Sequence, residues 1–213
     1  MEHRARKFVV LAATAVLMLT GAAAKGAERQ RLTLVVYVSD QADTDRRVLT
    51  EAQAQADRIF GDIGVRLAWR DVREGGYSPG CDGFSVFVTF LSPAMVHRLS
   101  SQGVSEAALG SAATAAGRAS IHPARIADFA SRTRGQAGVV MGRVIAHEIG
   151  HLLLPAGHSH YGIMTAGMHT DPSASARFTV PQTRAIRALL ESKATASAAD
   201  ADCASRRVAA ERD

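Results

Sequence analysis

The sequence predicts an α/β (α+β) fold in which a twisted mixed sheet of about four strands packs against helices. The first observation is a strand–helix–strand–strand order in the amino-terminal half, where β-branched runs flank one amphipathic stretch. The second is the run from Val139 to Leu153, which is apolar on nearly all sides and therefore typical of a buried helix. The third is a helical pattern that begins between Phe178 and Pro181. We expect one domain over residues 25–194.

The first 24 residues have the pattern of a signal peptide. Several basic residues precede an apolar stretch, Phe8 to Leu19, which is too short to span a bilayer comfortably. The small residues Ala22-Ala23-Ala24 form a cleavage site, so the mature chain would begin at Lys25; a cut after Ala27 is the alternative. We therefore expect a secreted or periplasmic protein that has no membrane association after cleavage. An uncleaved anchor is the alternative reading.

The charge distribution argues against a nucleic-acid partner. The chain has 25 Lys and Arg against 20 Asp and Glu, and a good part of this excess lies in the predicted signal peptide. The remaining basic residues do not form a stripe with interleaved aromatics, as nucleic-acid-binding surfaces do. The mature chain is long enough to bury a sizeable core by itself, and we expect a monomer.

The amino-terminal half supplies three predicted strands and one helix. Arg31–Ser39 is rich in β-branched residues and reads as a buried strand. Asp43 or Thr44 is placed to cap the helix that follows. Val65–Arg70 and the nearly continuous apolar run Phe84–Leu91 predict the second and third strands.

The middle of the chain is harder to interpret. Residues 92–117 are rich in small side chains and fit either a loose helix or a loop that passes over the site. Ala119–His122 predicts a short strand, and Pro123–Arg132 predicts a helix. His97 and His122 have no partner at metal-ligand spacing, so we interpret both as ordinary polar residues.

The buried helix contains the chemistry. His147 and His151 are four residues apart, so both imidazoles project from one face of the helix and can share a metal. Glu148 lies beside the first histidine, where its carboxylate can act on water as a general base. Two histidines at this spacing with an interposed glutamate form the H-E-x-x-H zinc-hydrolase pattern.

A third histidine follows the helix, as a three-ligand catalytic zinc site requires. Pro155 ends the helix, because the residue before a proline is disfavoured in the helical region. Gly157 permits a tight reversal that can return His158 to the metal. His160 lies about 7 Å further along an extended segment, so both cannot reach one zinc unless the chain curls. We assign His158 as the ligand and leave His160 near the open side, as an oxyanion contact or alternate ligand.

The stretch from Ala146 to Met164 resembles the metzincin zinc peptidases, and in particular small secreted bacterial relatives that carry H-E-I-G-H-L-L-L, a later His-Ser pair and Gly-Ile-Met. The resemblance implies a zinc cofactor with His147, His151 and His158 as ligands and Glu148 as general base. It implies that Met164 lies in a turn beneath the metal. An edge strand at residues 119–122 would lie along the cleft and pair with an extended peptide.

The chain departs from the family pattern at two positions. Leu154 stands where the family has glycine, and His158 lies one residue later than the strict motif. The turn must therefore be built around Pro155 and Gly157. Met164 is not followed closely by a tyrosine, so the tyrosine switch of some metzincins has no counterpart there.

These observations predict an exported zinc metallopeptidase, an endopeptidase that acts on peptide or protein substrates. A zinc amidase for a cell-wall amide and a non-catalytic exported zinc-binding protein are the alternatives, and Glu148 argues against the second. Cys81 lies in a Gly/Pro loop and Cys203 in a tail, residues 195–213, that we expect to be disordered, so we do not expect them to pair.

Overall fold

Five strands form one mixed sheet. The computed structural model describes residues 32–74, 84–101, 103–155, 157–167 and 176–210, with side chains as far as residue 196. The strands are β1 (Leu32–Asp40), β2 (Val65–Asp71), β3 (Ser85–Phe90), β4 (Gly110–Ala113) and β5 (Arg118–Ile121). Their order across the sheet is β2-β1-β3-β5-β4. All neighbours run parallel except β4, which is antiparallel to β5.

Five α-helices accompany the sheet in the described residues, together with short 3₁₀ segments at Val72–Glu74 and Thr114–Ala116. The α-helices are α1 (Arg46–Gly61), α2 (Pro93–Ser100), α3 (Pro123–Thr133), α4 (Ala137–Leu153) and α5 (Val180–Ala210). None of the described helices combines the length and the apolar character that crossing a bilayer requires.

The core lies between the sheet and the packed pair α1 and α4. Two glycines on α4 allow the two helices to approach closely. A Cβ at Gly138 would lie 2.5 Å from the Cβ of Glu51, and a Cβ at Gly142 would lie 2.5 Å from the carbonyl oxygen of Ala52. Because such separations are too short for real atoms, any larger residue would push α4 away from α1. The small residues therefore set the position of the helix that carries the site.

The strand and helix predictions for the amino-terminal half agree with the structure to within a residue or two at each end. The cap of α1 differs: Asp45, not Asp43 or Thr44, accepts hydrogen bonds from the backbone N–H groups of Arg47 and Val48. The Thr44 N–H and hydroxyl instead donate to the Asp40 carboxylate, at 2.9 and 3.1 Å.

The edge strand was predicted at the wrong place. The predicted strand at residues 119–122 corresponds to β5, which lies inside the sheet between β3 and β4. The edge on this side of the sheet is β4, whose sequence Gly-Ser-Ala-Ala has no β-branched or aromatic residue. Its strand conformation comes from pairing with β5 and from contact with α4, which a local pattern does not reveal. The sheet therefore has five strands where we predicted about four.

Two further predictions concern the chain ends. The predicted signal peptide, residues 1–24, lies outside the described residues together with both of its cleavage sites. The same holds for Cys81 and for the side chain of Cys203, so their predicted lack of pairing stays a prediction. The helix α5 spans Val180–Ala210. The disorder that composition predicts for residues 195–213 stays a prediction.

Candidate metal centre

α4 places two histidines side by side. His147 is buried and His151 is half-buried, and their Nε2 atoms face each other at 3.0 Å. The helix is buried along almost all of its length, so both rings open into a cleft and not to bulk solvent. The four-residue spacing alone produces this pair, because residues four apart share one face of a helix.

The chain beyond α4 brings a third imidazole to the pair. α4 ends at Leu153, and the N–H of Leu154 still donates to the carbonyl of Gly150 at 2.9 Å. The exposed His158 then returns so that its ring centroid lies 5.3 Å from that of His147 and 4.8 Å from that of His151. One ligand nitrogen from each of the three rings lies within 4.8 Å of the others.

The reversal does not use Gly157 in the way the sequence suggested. Gly157 does not adopt the left-handed conformation, whereas Gly162 does, with φ of 81°. A Cβ at Gly162 would also lie 2.7 Å from the carbonyl oxygen of Arg177. The glycine that this turn requires is therefore the one before Ile163.

That turn also orients the first ligand. Nδ1 of His147 lies 2.7 Å from the carbonyl oxygen of Ile163. A carbonyl can only accept, so Nδ1 carries the proton and Nε2 presents its lone pair to the other two rings. Metal-bound histidines commonly have such a backbone partner on the second nitrogen, because it fixes both tautomer and ring orientation.

Met164 lies beneath the helix. Its side chain is fully buried, and its sulfur packs directly against Gly150, the residue before His151. The Met164 carbonyl accepts from the N–H of Ser159 at 2.8 Å, which ties the turn back to the residue after His158. Gly150 leaves room for the sulfur, since any Cβ there would overlap it. The methionine thus supports the segment of α4 that carries the ligands.

Glu148 faces the same cleft as the three rings. It is 6% exposed and lines a cavity of about 650 Å³ together with His147, His151 and His158. Burial raises the pKa of Glu148 to about 7. A carboxyl group with a pKa near neutrality both accepts and returns protons readily, which is the property of a general base that also acts as an acid.

The two histidines of α4 are held in the neutral form, which is the form of imidazole that binds a metal. Burial lowers the pKa of His147. Burial, together with the neighbouring rings of His147 and His158, lowers the pKa of His151 to about 4. Neutral imidazoles therefore converge here at neutral pH. In a tetrahedral zinc site, Zn–N bonds of about 2.0–2.1 Å place two ligand nitrogens roughly 3.3 Å from each other. The Nε2 atoms of His147 and His151 are 3.0 Å apart, so their separation fits a shared ion.

Three further histidines lie within the described residues, and none of them belongs to the cluster. His160 is exposed and is not part of the three-ring cluster. His97 and His122 line a separate hollow of about 160 Å³, in which His97 is exposed and His122 is 1% exposed. The structure thus brings together His147, Glu148, His151 and His158, and it leaves His160 outside.

Sequence reasoning missed two parts of the cleft. Arg143 is 7% exposed and lines the cleft one helical turn before His147, a position that helical spacing alone would have indicated. The opposite wall is formed by residues of the segment 105–112, for which the sequence predicts a loop or a loose helix. A Cβ at Gly110 in this wall would lie 2.8 Å from Cγ of Glu148 and 2.9 Å from its Oε1. No local signal marks that contact.

The fold and the site together define an α/β protein with a cluster of three histidines that could hold a metal ion and an adjacent buried glutamate. The chain is similar in structure to a zinc-dependent peptidase from Methanocorpusculum labreanum, with 12% identity and a TM-score of 0.46, covering 72% of this chain and 99% of that one. It is also similar to the archaemetzincin of Methanopyrus kandleri, with 13% identity and a TM-score of 0.44, covering 77% and 98%.

A third similar structure is the archaemetzincin of Archaeoglobus fulgidus in complex with malonate, with 14% identity and a TM-score of 0.40, covering 72% of this chain and 99% of that one. No family model and no curated protein sequence matches the chain.

Proposed function

We propose that this protein is an exported zinc-dependent peptidase that cleaves peptide or protein substrates internally and acts as a monomer. The observation that supports the proposal most strongly is the convergence of three imidazole nitrogens within 4.8 Å of one another, beside a buried carboxyl group in the same cleft. Three nitrogen ligands with an open fourth position form the donor set of catalytic zinc sites.

His147, His151 and His158 would hold the ion. The chemistry that zinc would supply there is that of a Lewis acid, which would polarise a carbonyl group and lower the pKa of water towards ~7. Glu148 takes a proton from the attacking water and delivers it to the departing amine nitrogen, so that one side chain serves as base and then as acid. The hydrogen bond from His147 to Ile163 keeps the first ring in the tautomer that this arrangement needs.

The substrate would bind along β4. This strand is one of the two edge strands of the sheet, and Gly110, Ser111 and Ala112 line the cleft. An edge strand offers unpaired backbone groups to an extended peptide, and its small side chains leave the approach open. Because Gly110 touches Glu148, a peptide paired with β4 would have its backbone next to the proposed base.

Glu148 separates a hydrolase from a metal-binding protein without activity. Binding a metal through three histidines does not require a carboxyl group, yet the fold buries one beside them. Burying a carboxyl group costs free energy, and a catalytic role gives a physical reason for its presence.

The test compares Glu148→Gln with Glu191→Gln, the same change on the exposed surface of α5. Both variants should retain about one zinc per chain by metal analysis. Glu148→Gln should lose digestion of unfolded casein by at least ~100-fold, which is the usual loss when an acid–base group is removed, and Glu191→Gln should digest it as the wild type does.

Other outcomes would change the conclusion. Loss of zinc in Glu148→Gln would make Glu148 a ligand or a fold element. Zinc retention with cleavage of cell-wall peptides but not of casein would favour the amidase. The export part of the proposal has its own measurement: amino-terminal sequencing of the protein from the periplasm or medium should begin at Lys25.

A further inference from the structure

The wall of the cleft opposite α4 is an irregular segment, Ser105–Leu109, that leads directly into β4. Ser105, Ala107, Ala108 and Leu109 line the cleft. Within the segment, the Ala108 N–H donates to the Ser105 carbonyl at 3.1 Å. A segment with so little regular structure needs ties from elsewhere to keep one shape.

The first turn of α3 supplies these ties. Nδ1 of His122 lies 2.8 Å from the carbonyl oxygen of Ala108, and its backbone N–H donates to the carbonyl of Leu109 at 3.0 Å. Nη1 of Arg125 donates to the carbonyls of Ala108 and Ser105 at 3.1 and 3.0 Å. His122 at the N-cap and Arg125 three residues later lie on the same face of the helix, and both side chains bond to the single carbonyl oxygen of Ala108.

Arg125 also reaches the other flank of the segment. Its Nη2 donates to the Ser100 hydroxyl at the end of α2, at 2.8 Å. One guanidinium group thus joins α2, the cleft wall and α3. A planar group with several fixed donors can hold three acceptors at once, which a lysine ammonium does less well.

We propose that His122 and Arg125 are positioning residues for the reaction: by holding the carbonyls of Ser105 and Ala108 they set where Gly110 meets Glu148 and where the β4 edge receives substrate. The inference rests on the proposed peptidase function. Neither side chain lines the catalytic cleft, so both act through the wall that they hold.

The polar ring of His122 is not explained by packing alone. The ring is 1% exposed, yet its Nε2 has no hydrogen-bond partner among the residues that the structure describes. A buried polar atom without a partner destabilises the folded chain, and an apolar side chain would avoid that cost. Burial, aided by the Arg125 charge, lowers the pKa of His122, so the neutral ring carries its single proton on Nδ1, facing Ala108.

Two substitutions of His122 separate positioning from stability. His122→Leu removes the donor together with the orphaned nitrogen, so the melting temperature should stay or rise while KM increases by about threefold. His122→Asn places an amide donor where Nδ1 was but leaves a space, so the melting temperature should fall while KM stays near the wild-type value. If His122 had a purely structural role, KM would rise only in the variant whose melting temperature falls.

The Arg125 side chain makes more hydrogen bonds to the wall than the His122 side chain does, so its substitution should raise KM more. Arg125→Ala should raise KM by about tenfold with kcat within about threefold, since it removes binding of ground state and transition state alike. Arg125→Lys should restore part of the loss. Each single variant leaves one hydrogen-bond donor to the Ala108 carbonyl, whereas the double variant His122→Leu/Arg125→Ala removes both. The increase in KM of the double variant should therefore exceed the product of the two single increases.

A readout without catalysis completes the experiment. Amide hydrogen exchange in residues 105–113 of the full chain should accelerate in His122→Leu and Arg125→Ala and stay at the wild-type rate in His122→Asn. Unchanged exchange, or KM values that simply follow the melting temperatures, would overturn the inference. If exchange responds as expected while the wild type cleaves nothing, the peptidase proposal fails and the tie between α3 and the wall stands.

Discussion

The two sides of the cleft are built in different ways. One side is α4, a buried helix that carries His147, Glu148 and His151 at positions that its own periodicity dictates. The other side is the segment Ser105–Leu109 with β4, whose shape depends on donors from α3 and on pairing with β5. The first side keeps its geometry through local helical hydrogen bonds, and the second keeps it through tertiary contacts. Substitutions on the two sides should therefore change different properties of the protein.

The largest expected effect is on metal binding. His158→Ala removes one of three ligands and should lower zinc affinity by more than about 100-fold, since even groups that only orient a ligand contribute 10–100-fold. His160→Ala is the matched control two residues away and should keep the metal, with at most part of the rate lost. Calorimetric zinc titration measures both variants. The reverse pattern would place the ligand-bearing turn two residues later in the chain.

Gly110 tests the opposite side of the cleft. A Cβ there would lie within 2.9 Å of Glu148 and of Cγ1 of Val144, so Gly110→Ala must displace the wall or the proposed base. We expect activity to fall by about tenfold or more, in line with the usual cost of overpacking, while zinc content stays the same. Gly167→Ala, also in the cleft but with nothing within 4 Å of its Cβ, should behave as wild type. Loss of zinc from the Gly110 variant would show that the two sides are not independent.

The pH dependence of the metal-free protein separates Glu148 from the histidines. Burial raises the folded pKa of Glu148 from 4.5 to about 7, so this group makes the fold less stable as pH rises through that interval. His151 acts in the opposite direction: its pKa falls from 6.5 to about 4, so its contribution to stability is lost as pH falls. The two contributions oppose each other between pH 4.5 and 6.5.

Removing one group should expose the other. Metal-free Glu148→Gln should gain stability from pH 4.5 to 6.5 more steeply than the metal-free wild type, as measured by urea unfolding at several pH values. Parallel curves for the two proteins would mean that Glu148 is not desolvated in solution.

The smallest expected effect concerns Met164. Met164→Leu is a near-isosteric change of a fully buried side chain and should cost less than ~1.5 kcal/mol of stability while the zinc stays bound. Gly150→Ala sharpens the comparison, because its Cβ would overlap the Met164 sulfur and should cost more than Met164→Leu. Thermal unfolding with and without chelator measures both. Zinc loss in Met164→Leu would mean that the sulfur does more than support α4.

The helix side could be read from the sequence because its information is local. A spacing of four residues places His147 and His151 on one face wherever the helix forms, and Glu148 follows from its adjacency. Pro155 indicated the end of α4 to within one residue. The turn beyond it was less predictable: we placed the reversal at Gly157, whereas the left-handed glycine is Gly162. A glycine is needed at position 162 because the carbonyl of Arg177, fifteen residues further along the chain, leaves no room for a Cβ.

By itself, the sequence determined the order of strands and helices in the amino-terminal half, the buried helix and the relative placement of His147, Glu148 and His151, since each follows from periodicity within one element. Only the tertiary structure decided that Gly-Ser-Ala-Ala forms the edge strand, that Gly110 lies against Glu148, and that His122 and Arg125 hold the wall between them. These features depend on atoms that are distant in sequence, and small side chains carry no periodic signal that would announce them.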